Sequence, residues 1–174
     1  MMEDTIKVLI DEQSVQKRIK ELAEKINKDY EGKSVHLICI LKGSVFFTCE
    51  LAKYITVPVT MDFMSVSSYG NGSVSTGRVK ILKDTDEPIE GRDIIVVEDI
   101  VDSGNTLSFL LKIMKARKPA SIKLITLLDK PDRREVPVHV DYTGFEIPDK
   151  FVVGYGLDYA QKYRNLPYIG EVEV

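Results

Sequence analysis

The sequence has no tryptophan, only two cysteines and only two histidines among its 174 residues. Cys39 and Cys49 lie outside any C-x-x-C pattern, so the chain offers neither a disulfide framework nor the cysteine spacing of a zinc site. Both lie in apolar segments, where cysteine usually behaves as a small hydrophobe, and we expect two buried, reduced thiols. His36 falls in a strand pattern and His139 near a turn, and neither is a candidate for catalysis.

The sequence also has no excess of positive charge and no long apolar run. Its 24 lysines and arginines stand against 27 aspartates and glutamates, so no overall positive field favours nucleic acid or anionic lipid. No apolar stretch approaches the length that spans a bilayer, and the charged segment Met1–Lys7 lacks the apolar core of a signal peptide. We therefore expect a cytoplasmic protein that binds small molecules, with neither nucleic acid nor a membrane as a partner.

What the chain does have is a regular alternation of strand and helix patterns, with a hydrophobic content of 44% that suits one domain. Four apolar residues share one helical face before Tyr30 and predict a first helix: Val15, Ile19, Leu22 and Ile26. The later elements follow in turn: strand 35–41, helix 45–54, strand 59–66, strand 93–97, helix 103–115 and strand 121–128. This order favours an α/β fold with a mainly parallel sheet between helices.

Two regions lie outside this alternation. Residues 67–77 are rich in serine and glycine, have little to bury and connect two strands, so we predict a mobile lid loop there. After Asp129, turn residues separate short β-like runs, of which residues 151–155 are the clearest.

The most informative segment is Val97–Leu107, where three carboxylates and a turn of small residues separate a buried strand from an amphipathic helix. In an open α/β sheet, ligands bind at this edge. The backbone N–H groups of the turn predict an anion cradle, and Gly104 lets the main chain come close to a phosphate. Glu98, Asp99 and Asp102 would repel that phosphate, so they either bind sugar hydroxyls, a cation or a proton, or form a solvated acidic loop.

Four patterns stand in order along the chain: Leu41-Lys42-Gly43, Ser68-Tyr69, Glu98–Leu107 and Glu146–Tyr159. Together they resemble the type I phosphoribosyltransferases and, more narrowly, the hypoxanthine-guanine phosphoribosyltransferases. The third pattern alone indicates only binding of 5-phosphoribosyl-1-diphosphate, whereas the fourth is specific to the 6-oxopurine branch. The resemblance implies one domain over 1–174: a central, mainly parallel sheet flanked by helices, a lid, and a small hood formed largely by the C-terminal part and N-terminal residues.

The implied activity is transfer of the 5-phosphoribosyl group to N9 of hypoxanthine or guanine, which gives IMP or GMP and diphosphate. Two alternatives stay open at this point. One is an enzyme that prefers xanthine, because groups that read the purine 2-position include backbone atoms. The other is a regulatory RNA-binding protein that keeps the diphosphate site. The net charge of −3 is unfavourable for this alternative, although a local basic patch such as Lys112, Lys115, Arg117 and Lys118 would suit it.

The resemblance also implies roles for the residues in and around residues 102–106, here called the phosphate turn. Asp102 would accept a proton from purine N7, while Glu98 and Asp99 would bind the ribose hydroxyls near a Mg²⁺ ion. Asp158 would be the direct protein ligand of a second Mg²⁺ beside the purine site. The remaining residues implied to bind the phosphate of the phosphoribosyl group are Ser103, Gly104, Asn105 and Thr106.

The purine and the diphosphate have their own implied contacts. Lys130 would donate to the 6-oxo group, Phe151 would stack on the purine, and the Val152 backbone would meet the ring edge. The residues implied to bind the diphosphate are Lys42, Gly43 and Arg164, with Ser68 and Tyr69 on the lid. Relatives of this family can have a cis peptide at the position of Leu41–Lys42, and they commonly form homodimers or homotetramers.

Without the resemblance, the same residues have plainer interpretations. An aromatic in an apolar run, such as Phe151, would be a core residue, and Lys130 would be a surface lysine in a turn. Asp158 and Arg164 would form a surface ion pair of little energetic value. Pro131 departs from the family pattern, in which a basic residue commonly follows the lysine, and this puts the path of the loop in doubt.

Overall fold

The computed structural model describes residues 4–68 and 79–173. Their elements are, in chain order, β1 (Thr5–Ile10), α1 (Glu12–Asp29), β2 (Val35–Leu41), α2 (Val45–Tyr54), β3 (Val59–Ser68), β4 (Val79–Lys83), β5 (Asp93–Val101), α3 (Asn105–Ala116), β6 (Ser121–Asp129), a 3-10 turn (Pro131–Arg133), β7 (Tyr142–Glu146), β8 (Val152–Val153) and β9 (Ile169–Glu173). In these residues, no helix has the length and apolar content needed to cross a membrane.

The main sheet has six strands in the order β4-β3-β2-β5-β6-β7. All neighbouring strands are parallel except the edge strand β4, which runs antiparallel to β3. The predicted mainly parallel α/β sheet is therefore confirmed. A second, small antiparallel sheet has the order β1-β9-β8 and joins the first described strand to the last two.

Helix α1 forms where the apolar periodicity predicts it. The Asp11 side chain caps its start by accepting a hydrogen bond from the Ser14 N–H at 2.7 Å. The N–H of Tyr30 closes its last turn on the Ile26 carbonyl oxygen at 3.0 Å. The face between these ends packs fully buried side chains against the sheet: Val15, Ile19, Leu22, Ala23 and Ile26.

Two hydrophobic clusters cover the two faces of the main sheet. Helices α1 and α2 pack on one face and α3 packs on the other. Because side chains alternate along a strand, Leu37 joins the first cluster and its neighbour Ile38 joins the second. The buried sheet carries its helices on opposite sides and leaves the carboxyl ends of its parallel strands free to hold a site.

Several boundaries differ from the sequence-based expectation. Strand β5 continues to Val101, so Glu98 and Asp99 lie within it, because backbone pairing with β6 persists past the apolar run. Helix α3 begins at Asn105 rather than at 103. Strand β8 is only two residues long.

Two further expectations change with the structure. Residues 67 and 68 of the predicted lid are paired within β3, and residues 69–77 lie outside the described residues. The expected burial of Cys49 is wrong, since this thiol is exposed on the outer face of α2, whereas Cys39 is buried as expected. The inner face of α2 is occupied instead by Phe47, Thr48 and Leu51.

Leu110 provides a test of how α3 is held on the sheet. This side chain is fully buried in the second cluster, so Leu110→Ala should lower the free energy of unfolding by about 2–5 kcal/mol through lost transfer energy and a residual cavity. Urea denaturation measures the change. Lys112→Ala, on the exposed side of the same helix, is the control and should stay within about 0.5 kcal/mol of the parent. Equal effects of the two substitutions would contradict this packing.

Candidate active site

Three chain segments approach one another closely at the carboxyl end of β2. The Leu41–Lys42 peptide that follows this strand is cis. A Cβ atom at Gly43 would overlap the carboxylate of Asp99, and a Cβ atom at Gly156 would overlap the carbonyl oxygen of Gly43. The first contact joins β2 to β5, and the second joins both to the C-terminal segment. Only glycine fits at position 156, where the neighbour is backbone, whereas a side chain at position 43 would displace the Asp99 carboxylate.

The phosphate turn, residues 102–106, follows β5 directly. Gly104 stands at the N-cap of α3 with a φ of +85°, a conformation that favours glycine, and its carbonyl accepts from the Ser108 N–H at 2.9 Å. A cavity of about 280 Å³ lies over this turn. Its lining combines residues from β2, β3, β5, the turn and the start of α3: Ile40, Leu41, Val66, Glu98, Ile100, Val101, Asp102, Ser103, Gly104, Thr106 and Leu107. Backbone N–H groups at a helix start beside such a cavity suit an anion.

A strap of residues 133–136 supports the phosphate turn from behind, and the sequence analysis did not identify it. The carbonyl oxygen of Ser103 accepts from the N–H groups of Glu135 and Val136 at 2.9 and 3.1 Å. The Glu135 carboxylate accepts from the Asn105 side-chain amide at 2.7 Å. These contacts leave the side chain of Asn105 engaged in holding the turn, rather than free to reach a ligand.

Glu98 and Asp99 are adjacent, partly buried carboxylates at the end of β5. Burial raises the pKa of Glu98 well above its usual range, and the Asp99 carboxylate raises it further. Burial also raises the pKa of Asp99 to about 6, although the Ile100 N–H, which donates to its Oδ1 at 2.7 Å, favours the charged form. Two carboxylates that are hard to ionise together provide a place where a cation or sugar hydroxyls would bind favourably.

Asp102 is about half exposed and faces Arg133. The Arg133 Nε donates to Asp102 Oδ1 at 3.1 Å, with exposed fractions of 50% and 45% for the two side chains. The carboxylate thus lies at the open mouth of the site, where a ligand can reach it. Arg133 stands three residues after Lys130, in the turn that begins with Pro131, and only its place in this turn could have drawn attention to it in the sequence.

Lys130 is buried, with a relative exposure of 7%, which contradicts the plain expectation of a surface lysine. Its Nζ lies 3.8 Å from Asp149 Oδ1, and the other oxygen of Asp149 lies 3.6 Å from Arg133 Nη1. A buried ammonium needs such a partner, because burial of an unpaired charge is costly. Asp149 falls inside the Glu146–Tyr159 pattern but had no role assigned to it.

Phe151 is 49% exposed, so the plain expectation of a core aromatic is wrong for this residue. Its ring meets that of Tyr159 edge-on, with centroids 5.5 Å apart. Val152 is buried and pairs with Glu171 in the small sheet. The buried valine anchors the segment, while the exposed ring beside it presents a flat apolar face that can stack on a ligand.

Arg164 organises the C-terminal side of the site. Its guanidinium donates to the Gly156 carbonyl oxygen at 2.7 Å and lies 3.1 Å from Asp158 Oδ1. Gln161 accepts from both Arg164 and the Lys42 ammonium, at 3.2 and 3.4 Å. Lys42, Asp158 and Arg164 are therefore brought together. Ser68 is exposed at the end of β3, and Tyr69 lies outside the described residues.

The acidic residues implied to bind Mg²⁺ do not form a complete cage. Within residues 4–68 and 79–173, no group of three or more histidine, cysteine or acidic side chains is arranged to hold a metal ion. Glu98 and Asp99 are suitable donors for Mg²⁺, since this ion prefers carboxylate oxygens and usually keeps water or phosphate oxygens as further ligands. The residues thus fit a metal that binds together with a phosphorylated substrate.

Comparison with known proteins finds a matching family and close similarity to several of its members. Residues 7–160 match the family model of the phosphoribosyl transferase domain. The chain is 54% identical over 170 residues to a hypoxanthine-guanine phosphoribosyltransferase of Bacillus subtilis, covering 98% of this chain and 94% of that protein. It is also 54% identical over 170 residues to the bifunctional protein TilS/HprT of Listeria monocytogenes, of whose length it spans only 26%. A crystal structure of a hypoxanthine-guanine phosphoribosyltransferase from Bacillus anthracis superposes with a TM-score of 0.94 at 51% identity, covering 98% of this chain and 100% of that one.

The raised pKa of Asp99 predicts a specific dependence of stability on pH. Its folded-state pKa of about 6 exceeds the unfolded value near 4, so the stability that the protonated group contributes is full below about pH 4 and is lost as pH rises through about 6. In Asp99→Asn this loss is absent. The variant should therefore be more stable than the parent at pH 8 by roughly 1–3 kcal/mol, and the difference should shrink towards pH 4.

Urea denaturation at pH 4, 6 and 8 without divalent cations measures this effect. Asp132→Asn removes one carboxylate from an exposed turn and is the control, for which we expect no such pH-dependent gain. A parent protein that gains stability relative to Asp99→Asn between pH 4 and pH 8 would show that the sign is wrong.

Proposed function

The chain belongs to the phosphoribosyl transferase domain family, and we propose that it transfers the 5-phosphoribosyl group of 5-phosphoribosyl-1-diphosphate to N9 of hypoxanthine or guanine. The products are IMP or GMP and diphosphate. The observation that carries the proposal is the buried Lys130 beside the exposed Phe151 segment, next to a phosphate turn at the carboxyl edge of the sheet. A 6-oxopurine needs the first two features, and a phosphoribosyl group needs the third.

The phosphate turn and the carboxylates of Glu98 and Asp99 bind different parts of the phosphoribosyl group. The backbone N–H groups of residues 102–106 bind the 5′-phosphate, and Gly104 allows its close approach. Glu98 and Asp99 accept hydrogen bonds from the ribose hydroxyls. Lys42 and Arg164, which share Gln161 as a partner, face the diphosphate, whose oxygens suit a guanidinium.

The purine is bound between Phe151 and the Lys130 turn. Lys130 donates to the 6-oxo group, a contact that the amino group of adenine cannot accept, so with adenine the buried ammonium would lose its hydrogen bond to the base. N9 forms a bond to C1′ of the ribose as the bond from C1′ to the diphosphate oxygen breaks. The proton on N7 passes to the carboxylate of Asp102, which acts as the general base.

Glu98, Asp99 and Asp158 are the residues that we propose to hold Mg²⁺, together with oxygens of the substrate. The chemistry that the ion supplies is neutralisation of negative charge on the leaving diphosphate. Asp158 accepts from the Gln161 N–H at 2.8 Å and pairs with Arg164, so its carboxylate is already oriented toward this side of the site.

Neither alternative raised by the sequence gains support. The relatives are named for hypoxanthine and guanine rather than xanthine. Arg117, in the basic patch considered for RNA, pairs both of its terminal nitrogens with Asp84, which reduces the positive charge that the patch presents. We further propose a cytoplasmic protein that forms a homodimer or homotetramer. Association is supported by several large apolar side chains that remain exposed, among them Phe46, Met61 and Leu82.

A spectrophotometric assay tests the proposed activity directly. Purified protein receives phosphoribosyl diphosphate and Mg²⁺ with hypoxanthine, guanine, xanthine or adenine in separate reactions. We expect nucleotide from hypoxanthine and guanine and none from adenine. Product from adenine would contradict the role of Lys130, and no product from any base with folded protein would contradict the proposed function.

Asp102→Asn tests the general base. The amide keeps the shape of the side chain but cannot accept the N7 proton, so kcat should fall by about a hundredfold or more. KM for phosphoribosyl diphosphate should change little, because the backbone of the turn is unaltered. Asp132→Asn is the matched control and should retain the parent kcat. A parent-like kcat in Asp102→Asn would remove this residue from the role.

A further inference from the structure

Three ion pairs in series join the carboxylate of Asp102 to the ammonium of Lys130. Arg133 contacts Asp102 through Nε at 3.1 Å and Asp149 through Nη1 at 3.6 Å, and Asp149 in turn lies 3.8 Å from Lys130 Nζ. We propose that Arg133 and Asp149, here called the Arg133–Asp149 bridge, are positioning residues that set the spacing between the two groups that meet the purine. This inference rests on the proposed function.

The chemistry of the purine explains why this spacing matters. N7 and the 6-oxo oxygen are neighbours on one edge of the ring system, so the groups that bind them must stand side by side at a fixed separation. Asp102 follows β5 and Lys130 follows β6, and they belong to different segments of the chain. A contact that couples their side chains would keep both aligned with a rigid ligand, and misalignment of reacting groups strongly slows a reaction.

The backbone presents Lys130 and Arg133 from the same rigid turn. Pro131 begins the 3-10 turn with its fixed φ, and the Arg133 N–H closes it on the Lys130 carbonyl oxygen at 3.1 Å. The Lys130 N–H donates to the Val101 carbonyl oxygen at 2.9 Å, which fixes the turn beside Asp102. Pro131, where the sequence departs from the family pattern, thus helps to direct Arg133 toward Asp102.

Asp149 enters the bridge from a second anchored segment. On one side of it, the Ile147 N–H donates to the Asp129 carbonyl oxygen at 2.8 Å. On the other side, Lys150 pairs with Glu171 of the small sheet at 2.6 Å. The bridge therefore ties the segment that carries Phe151 to the turn that carries Lys130.

The bridge is suited to positioning rather than to stability. Arg133 and Asp149 are 50% and 55% exposed, and exposed ion pairs contribute little to the free energy of unfolding. Arg133 engages Oδ1 of Asp102, which leaves Oδ2 as the oxygen that can accept the purine proton. Loss of the arginine should then alter how the purine is handled without unfolding the chain.

The test compares Arg133→Gln, Arg133→Lys and Asp149→Asn with the parent in steady-state assays. Arg133→Gln should lower kcat/KM for hypoxanthine by roughly tenfold to a hundredfold, with KM for phosphoribosyl diphosphate within about twofold of the parent value. Asp149→Asn should mainly raise KM for hypoxanthine, since it frees Lys130. Arg133→Lys keeps a cation at the position and should recover part of the loss.

Arg117→Gln is the matched control, because Arg117 also forms a partly exposed ion pair, with Asp84, away from the site. Its kcat/KM should equal that of the parent, and its shift in Tm should be similar to that of Arg133→Gln. With an active parent, two results for Arg133→Gln would refute the bridge. One is a kcat/KM for hypoxanthine equal to that of the parent, and the other is a rise in KM for both substrates together. An inactive parent would instead refute the proposed function, and the inference would fail with it.

Discussion

The site depends on the close approach of three main-chain segments at the carboxyl end of β2. Gly43 lies against the Asp99 carboxylate on one side and against Gly156 on the other. No side chain fits at Gly156, and one at Gly43 would displace the Asp99 carboxylate. Strand β2, strand β5 and the segment before Asp158 are therefore held at short, defined distances from one another. Residues 102–106, the carboxylates Glu98 and Asp99 and the segment that carries Phe151, to which we assign phosphate, metal and purine binding, are arranged around this point.

The environment of the carboxylates follows from the same packing. Burial of Glu98 and Asp99 at the end of β5 opposes their ionisation and raises the pKa of both carboxyl groups. Without a ligand, ionisation of both Glu98 and Asp99 is therefore unfavourable, and a bound cation or ribose would stabilise the ionised carboxylates. Sites of this kind trade stability of the free protein for binding of the ligand.

The sequence predicts the scaffold better than it predicts the contacts between segments. Apolar periodicity locates α1 and β2 because burial on one or both faces imposes it. It places the end of β5 too early, since Glu98 and Asp99 are polar although their backbone still pairs with β6. The burial of Lys130 cannot be predicted from its neighbours in the sequence, because it depends on an ion pair with Asp149, which belongs to a later segment of the chain.

The small sheet has a consequence for the topology of the chain. Its first strand pairs antiparallel with its last, and Thr5 stands opposite Glu173, so the two ends of the described chain lie side by side. Such a domain can be inserted into a host protein through one closely spaced pair of junctions, and it is a suitable subject for circular permutation. New termini would then belong in an exposed loop far from the carboxyl edge of the main sheet, such as the turn at Gly32.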